Sequence, residues 1–188
     1  GVAGTNKTWT PSNGSYNAAT GDLTLTLGQH GLAAGKHVVL ENNSLTFTCD
    51  QDGNVAQKTY PRPGQDPFAG QSIEVVSVST ATATATAALY TASTGDIELT
   101  VANHGFQDGD YILVTDNSLQ FTCNLDSNVS VKSYPRPQYD YPSGRWMEVS
   151  NSTTNTFTIN VGPSSYTGTH TFAGATADGI LHQTGDIT

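Results

Sequence analysis

Asn43-Ser-Leu-Thr-Phe-Thr-Cys49 returns as Asn117-Ser-Leu-Gln-Phe-Thr-Cys123, 74 residues further along the chain. The same offset carries Tyr16-Asn-Ala-Ala-Thr-Gly-Asp22 onto Tyr90-Thr-Ala-Ser-Thr-Gly-Asp96, and Lys58-Thr-Tyr-Pro-Arg-Pro63 onto Lys132-Ser-Tyr-Pro-Arg-Pro137. Aligned without a gap, 16–75 and 90–149 are identical at 28 of 60 positions. Chance does not produce such a match, so the chain holds two copies of one fold behind an N-terminal arm.

Each copy alternates apolar and polar residues with period two, the spacing of a strand with one buried face. Leu23, Leu25 and Leu27 share one face, and Ile97, Leu99 and Val101 take the same places in the second copy. The inward sets of the next strands are Leu45, Phe47, Cys49 and Leu119, Phe121, Cys123. Asn42-Asn43-Ser44 and Asp116-Asn117-Ser118 are tight-turn chemistry. Pro61, Pro63, Pro135 and Pro137 lack the amide that a central ladder needs, so Tyr-Pro-Arg-Pro reads as a loop. No stretch sustains an apolar 3.6-residue pattern. The expected class is all-β: two tandem small antiparallel β-barrel or sandwich domains, with an extended arm over 1–15 and copies over 16–89 and 90–188.

Composition supports that class. Charged residues are 12% of the chain, about half the usual share, whereas Thr and Ser are abundant. Seven Lys and Arg against sixteen Asp and Glu leave a net charge of −9, which repels phosphate backbones and argues against a nucleic-acid partner. No apolar run reaches the roughly 18 residues of a membrane span. The start Gly1-Val2-Ala3-Gly4 fits a processed, secreted product.

The copies diverge after residue 80. Thr154–Val161 alternates with Phe157, Ile159 and Val161 on one face, but copy one has Ala83, Ala85 and Ala87 at those places. Copy two continues through Thr169-His-Thr-Phe172 and Gly179-Ile-Leu181, read as a closing hairpin, and copy one has no counterpart. A large-to-Ala change in a core costs about 2–5 kcal/mol when nothing fills the space. Copy one therefore needs completion, by its own arm, by copy two, or by a strand from another molecule. The arm is extra to the repeat, and Val2, Thr5, Thr8, Trp9 and Thr10 suit a strand added to an open edge lined by Ala83, Ala85 and Ala87. Such a head-to-tail contact propagates into a filament.

Catalytic chemistry is not legible. No Ser-His-Asp order, phosphate loop or Cys-x-x-Cys is present, so the chain reads as a non-enzyme without cofactor. His30, His37, His104 and His182 lack partners at metal-ligand spacing. Asp50-Gln-Asp-Gly-Asn54 opens like a calcium loop, but the closing Glu is missing and a tight turn accounts for it. Cys49 and Cys123 read as buried thiols, with a bridge between them requiring juxtaposed faces. Arg62 and Arg136 are expected to pair with Asp66 and Asp140. Tyr139, Tyr141 and Trp146, which replace Gln65, Pro67 and Ser72, form a candidate contact surface for another subunit or a glycan. Sequons at Asn6, Asn13, Asn42, Asn128 and Asn151 permit glycosylation.

Asn-Ser-Leu-x-Phe-Thr-Cys, Tyr-Pro-Arg-Pro, Trp146-Met-Glu-Val-Ser-Asn151 and Thr169-His-Thr-Phe172 together resemble β-rich repeats of phage virion structural proteins and of subunits of pilus-like extracellular helical fibrils. The likeness covers nearly all of 16–185. It implies an extracellular, non-enzymatic subunit whose main partner is itself, with a phage-fibre or adhesin-type glycan-binding module as the alternative. Family repeats often continue Tyr-Pro-Arg with Ala or Ser, where this chain has a second proline.

Overall fold

The computed structural model describes residues 7–188. Strands appear at the alternating runs around Leu25, Leu45, Leu99, Phe121 and Ile159, and further strands lie outside those runs. In chain order they are β1 (Asn13–Tyr16), β2 (Leu23–Thr26), β3 (His37–Val39), β4 (Leu45–Phe47), β5 (Lys58–Tyr60), β6 (Ser72–Glu74), β7 (Val78–Ala83) and β8 (Ala87–Thr91). There follow β9 (Asp96–Thr100), β10 (Tyr111–Val114), β11 (Leu119–Cys123), β12 (Lys132–Tyr134), β13 (Met147–Glu148), β14 (Thr156–Asn160), β15 (His170–Ala175) and β16 (Ile180–Ile187). Two single 3-10 turns, Asp50–Asp52 and Asn124–Asp126, are the helical content among the described residues. The protein is all-β and its ladders are antiparallel.

The sheets do not close into the barrels that the alternation led us to expect. They are short open sheets: β1-β2-β16-β10-β13 with β7 also on β16, then β12-β11-β15, β14-β9-β8, β3-β6 and β4-β5. The chain divides into a larger compact unit, Gly1–Gly31 with Ser79–Ile187, and a smaller one, Leu32–Val78 with Thr188. That division cuts through copy one.

Within the larger unit, β8 and β9 form a hairpin that pairs Ala87 with Thr100 and Tyr90 with Ile97. Its counterpart 74 residues earlier is β1–β2, where Asn13 pairs with Thr26 and Tyr16 with Leu23. The structural repeat thus starts before Tyr16, inside the segment that sequence identity alone assigns to the arm. The hairpin turns differ in one respect. Gly95 takes φ +81° with its α-carbon against the Gly162–Pro163 backbone, so a β-carbon there would lie 2.1 Å from the Gly162 carbonyl carbon, whereas Gly21 faces open space.

The core of this unit gathers Ile97, Leu99, Ile112, Val114, Leu119, Phe157, Ile159 and Ile180, all 0–2% exposed. Phe157 sits opposite Leu99 on the β9–β14 ladder. In copy one the residue opposite Leu25, the equivalent of Leu99, is Ile187 of β16. Leu27 N–H donates to the Gly185 carbonyl at 2.7 Å, as Val101 N–H does to Asn155 at 2.8 Å. The C-terminal strand therefore takes on β2 the place that β14 takes on β9. The same strand pairs Ile112, Leu113 and Val114 of β10 with His182, Leu181 and Ile180.

This differs from the closing hairpin expected over 169–181. β15 joins β11 and β16 joins β10, so consecutive strands enter different sheets. The smaller unit holds two two-stranded ladders, His37–Val39 against Ser72–Glu74 and Leu45–Phe47 against Lys58–Tyr60.

Because Ile187 is 5% exposed and faces Leu25, itself 4% exposed, Ile187→Ala should lower unfolding stability by about 2–5 kcal/mol in urea titration. Exposed Val55→Ala, at 84% exposure, should leave the midpoint nearly unchanged.

Candidate functional site

The smaller unit exposes what its repeat partner covers. In copy two, β11 lies between β12 and β15, and β10 lies between β13 and β16. In copy one, β4 has only β5 and β3 has only β6 among the described residues. Exposure follows. Ser118, Phe121 and Cys123 are buried, but Ser44 is exposed and Phe47 and Cys49 are half-buried. Ile112 is wholly buried while its counterpart Val38 is not, and Val39 is 58% exposed. An uncovered edge with apolar residues beside it is a template for another strand. Cys49, expected inside, is partly open for this reason, and both thiols are free.

Of the residues assigned to a donor strand, Val2 and Thr5 lie outside the described residues, as does the sequon at Asn6. Thr8, Trp9 and Thr10 adopt no strand. Lys7 beside them donates from Nζ to the Tyr111 hydroxyl at 3.2 Å and sits 4.9 Å from the Tyr111 ring centre. The Trp9 ring is half-buried, and its Nε1 is shielded from solvent without a hydrogen-bond partner. Such a donor costs about 1–3 kcal/mol, so this seat is not an optimised one. Burial, and secondarily the Lys7 charge, hold the His30 imidazole below its ordinary pKa.

The three alanines do not line one groove. Ala85 is buried in the core with Leu99 and Phe157, Ala83 is half-buried on β7, and Ala87 is exposed on β8. The alternating run Thr80–Ala87 is not one strand: β7 ends at Ala83, β8 begins at Ala87, and β7 pairs with β16.

Turn electrostatics repeat almost atom for atom. The Arg62 side chain grips Asp66 at 2.8 and 3.0 Å, and Arg136 grips Asp140 at 2.7 and 3.0 Å, as the spacing predicted. Each Asp also accepts from its arginine's backbone N–H at 2.7 Å. Burial works against ionisation of Asp140, yet these bonds to Arg136 prevail and hold its carboxyl below the usual range. In the would-be calcium loop, Asp52 is taken by Lys58 at 2.5 Å, and in copy two Asp126 by Lys132 at 2.5 Å and by Ser130. Gly53 and Ser127 close both turns with positive φ. No group of three or more metal-ligating side chains occurs among the described residues. His104 is engaged by backbone instead. Its Nδ1 accepts from Phe106 N–H at 2.9 Å, so the Nε2 proton meets the Thr156 carbonyl at 3.2 Å.

Two exposed tyrosines mark this loop in copy two, where copy one exposes Phe68 at 48%. Tyr139 is 77% and Tyr141 59% exposed, with the Arg136 guanidinium 4.2 Å from the first ring and Arg145 4.9 Å from the second. Those stacks hold two amphipathic rings open to solvent. Trp146 is half-buried. Beside Tyr141 lies a cleft of about 710 Å³ whose walls include Tyr90, Tyr134, Arg136, Ser164 and His170. Burial, then the Asp140 charge, raise the Tyr134 phenol well above its usual pKa. Asn13, Asn42, Asn128 and Asn151 are all exposed.

No family model, curated protein or solved structure matches the chain at a significant level. No helix of the described residues is long and apolar enough to cross a membrane. The functional reading therefore rests on the geometry of the two copies. Sequence reasoning expected an open edge in copy one from the unrepeated segment after residue 149 and placed it at the alanines; what it missed was that the edges with one partner are those of β3 and β4.

Lys132 first, then Ser130, hold the Asp126 carboxyl down from 3.8 to about 2. A carboxyl depressed in the folded state stabilises the fold above its unfolded pKa, and this contribution disappears as pH falls through about 2. In Lys132→Met, carboxyl-carbon NMR titration should find the Asp126 pKa higher, closer to 3.8; an unchanged value would show that Ser130 alone sets it.

Proposed function

We propose that this protein is a structural subunit that self-assembles head to tail into an extracellular helical filament, the N-terminal arm of one subunit completing copy one of another. One observation carries this reading: β3–β6 and β4–β5 stop at two strands where the equivalent strands of copy two have a third. Isolated two-stranded ladders are marginal in water, and an added strand supplies backbone hydrogen bonds along its length. The arm is a suitable donor because Trp9 gives up an unsatisfied Nε1 environment on leaving its present seat. Donor and acceptor are different segments of the chain, so the contact is heterologous and grows a filament unless rotation closes a ring. Two tandem repeats, each finished as a complete β-domain, belong to this assembled state. Exposed sequons and a charge-poor, Thr-rich surface suit a secreted polymer.

Purified protein should show filaments by negative-stain microscopy, and deletion of 1–12 should abolish them while circular dichroism remains that of a β protein. Normal polymerisation of the truncated chain would refute the donor role of the arm.

A second reading has its own observation. Tyr141 stands exposed at the cleft and Tyr139 stands exposed over Arg136, one of its wall residues, an arrangement suited to stacking on sugar rings. In that reading the chain is a glycan-binding module of a phage fibre or adhesin. Glycan-array binding lost at least tenfold in the Tyr139→Ala, Tyr141→Ala double variant, with filaments absent from the parent, would favour it.

A further inference from the structure

Resting on the filament reading, we infer the acceptor strand and the register of the exchanged arm: Lys7-Thr8-Trp9 of one subunit lies antiparallel on the outer edge of β4 of another, with Lys7 opposite Cys49 and Trp9 opposite Phe47. The template is within the chain. In copy two the outer edge of β11 carries β15, which pairs Cys123 with His170, Thr122 with Thr171 and Phe121 with Phe172. Offset by 74, those β11 residues are Cys49, Thr48 and Phe47, the last residue of β4 and the two beyond it, with Cys49 still extended at φ −133° and ψ 136°, on the side that lacks a strand among the described residues.

The side chains required follow from what β15 supplies. His170 is a half-buried polar residue edge-on to Tyr90 with ring centres 5.2 Å apart, Thr171 is β-branched and exposed, and Phe172 packs edge-on to Phe121 with ring centres 6.0 Å apart. Lys7-Thr8-Trp9 repeats that order: long polar side chain, Thr, large aromatic. Alternation puts Lys7 and Trp9 on one face and Thr8 on the other. A one-residue slip would send Trp9 to the exposed face and leave Phe47 uncovered, so the buried face selects the register. The Ala83, Ala85 and Ala87 segment is not the acceptor here, since Ala85 is already packed in the core.

The register is open to a chemical test. Asn124 N–H donates to the Thr169 carbonyl at 3.1 Å, which makes Cys123 and His170 a non-hydrogen-bonded pair. Such pairs bring α-carbons to about 4.5 Å and place both side chains on one face, within the range a disulfide spans. Lys7→Cys should therefore cross-link to native Cys49 of a neighbouring subunit.

Lys7→Cys filaments are oxidised with glutathione disulfide, run on a non-reducing gel, and mapped by peptide mass spectrometry. The expected result is a ladder of multimers joined through residue 7 and Cys49, absent from Lys7→Cys, Cys49→Ser and at least tenfold weaker in Thr8→Cys. Filaments that form without the 7–49 link, or that link equally well from residue 8, would overturn the register and leave the filament reading standing. A 7–49 link confined to monomers would mean that the arm covers its own β4, overturning exchange. Absence of filaments in the parent protein and in Lys7→Cys would overturn the filament reading and the register with it.

Discussion

A single strand, β16, satisfies backbone groups from both copies of the sequence repeat. Its first residues pair with β10 of copy two, its last residues pair with β2 of copy one, and β7 adds to it as well. Ile180 is fully buried at one end and Ile187 nearly so at the other. The hairpin β1–β2, with its alternating leucines, would otherwise present an unpaired edge and an uncovered apolar face. Eight residues of C-terminal strand thus join parts of the molecule that lie far apart in sequence.

The use of β16 in this way has a consequence for copy one. The hairpin that begins the copy is finished inside the larger unit, while Leu32–Val78 is left with two-stranded ladders and half-buried Phe47 and Cys49. Copy two spends β15 on its own β11, and the chain holds no second segment of that pattern after residue 149. The deficit of copy one is therefore one of strands more than of side-chain volume. A polymer whose subunits lend a terminal strand removes such a deficit without lengthening the repeat.

Conservation of the turns between copies contrasts with divergence of what they display. Both Tyr-Pro-Arg-Pro segments are held by the same arginine–aspartate fork, and both 3-10 turns by the same lysine–aspartate pair. Exposed pairs of this kind contribute little to stability individually, and their value lies in fixing loop shape. On that common frame copy two carries Tyr139 and Tyr141 where copy one carries Gln65 and Pro67. The same loop exposes Phe68 in one copy and two arginine-stacked tyrosines in the other.

What the sequence determined by itself was local. Period-two alternation located β2, β4, β9, β11 and β14, and Asn-rich and Gly-rich punctuation located the turns, with Asn43 and Asn117 taking the positive φ that asparagine tolerates. The i,i+4 fork of Arg and Asp was readable because its partners are four residues apart. Strand partnership was not readable. Thr80–Ala87 alternates as well as any strand, but nothing in alternation says that β7 will pair with β16, or that Ile187 will occupy on β2 the place Phe157 occupies on β9. Each strand offers the same backbone donors and acceptors to every other, so pairing is decided by which apolar faces can be buried together across more than a hundred residues. That is a property of the folded chain, and it places the open edge on β3 and β4 instead of on the alanines.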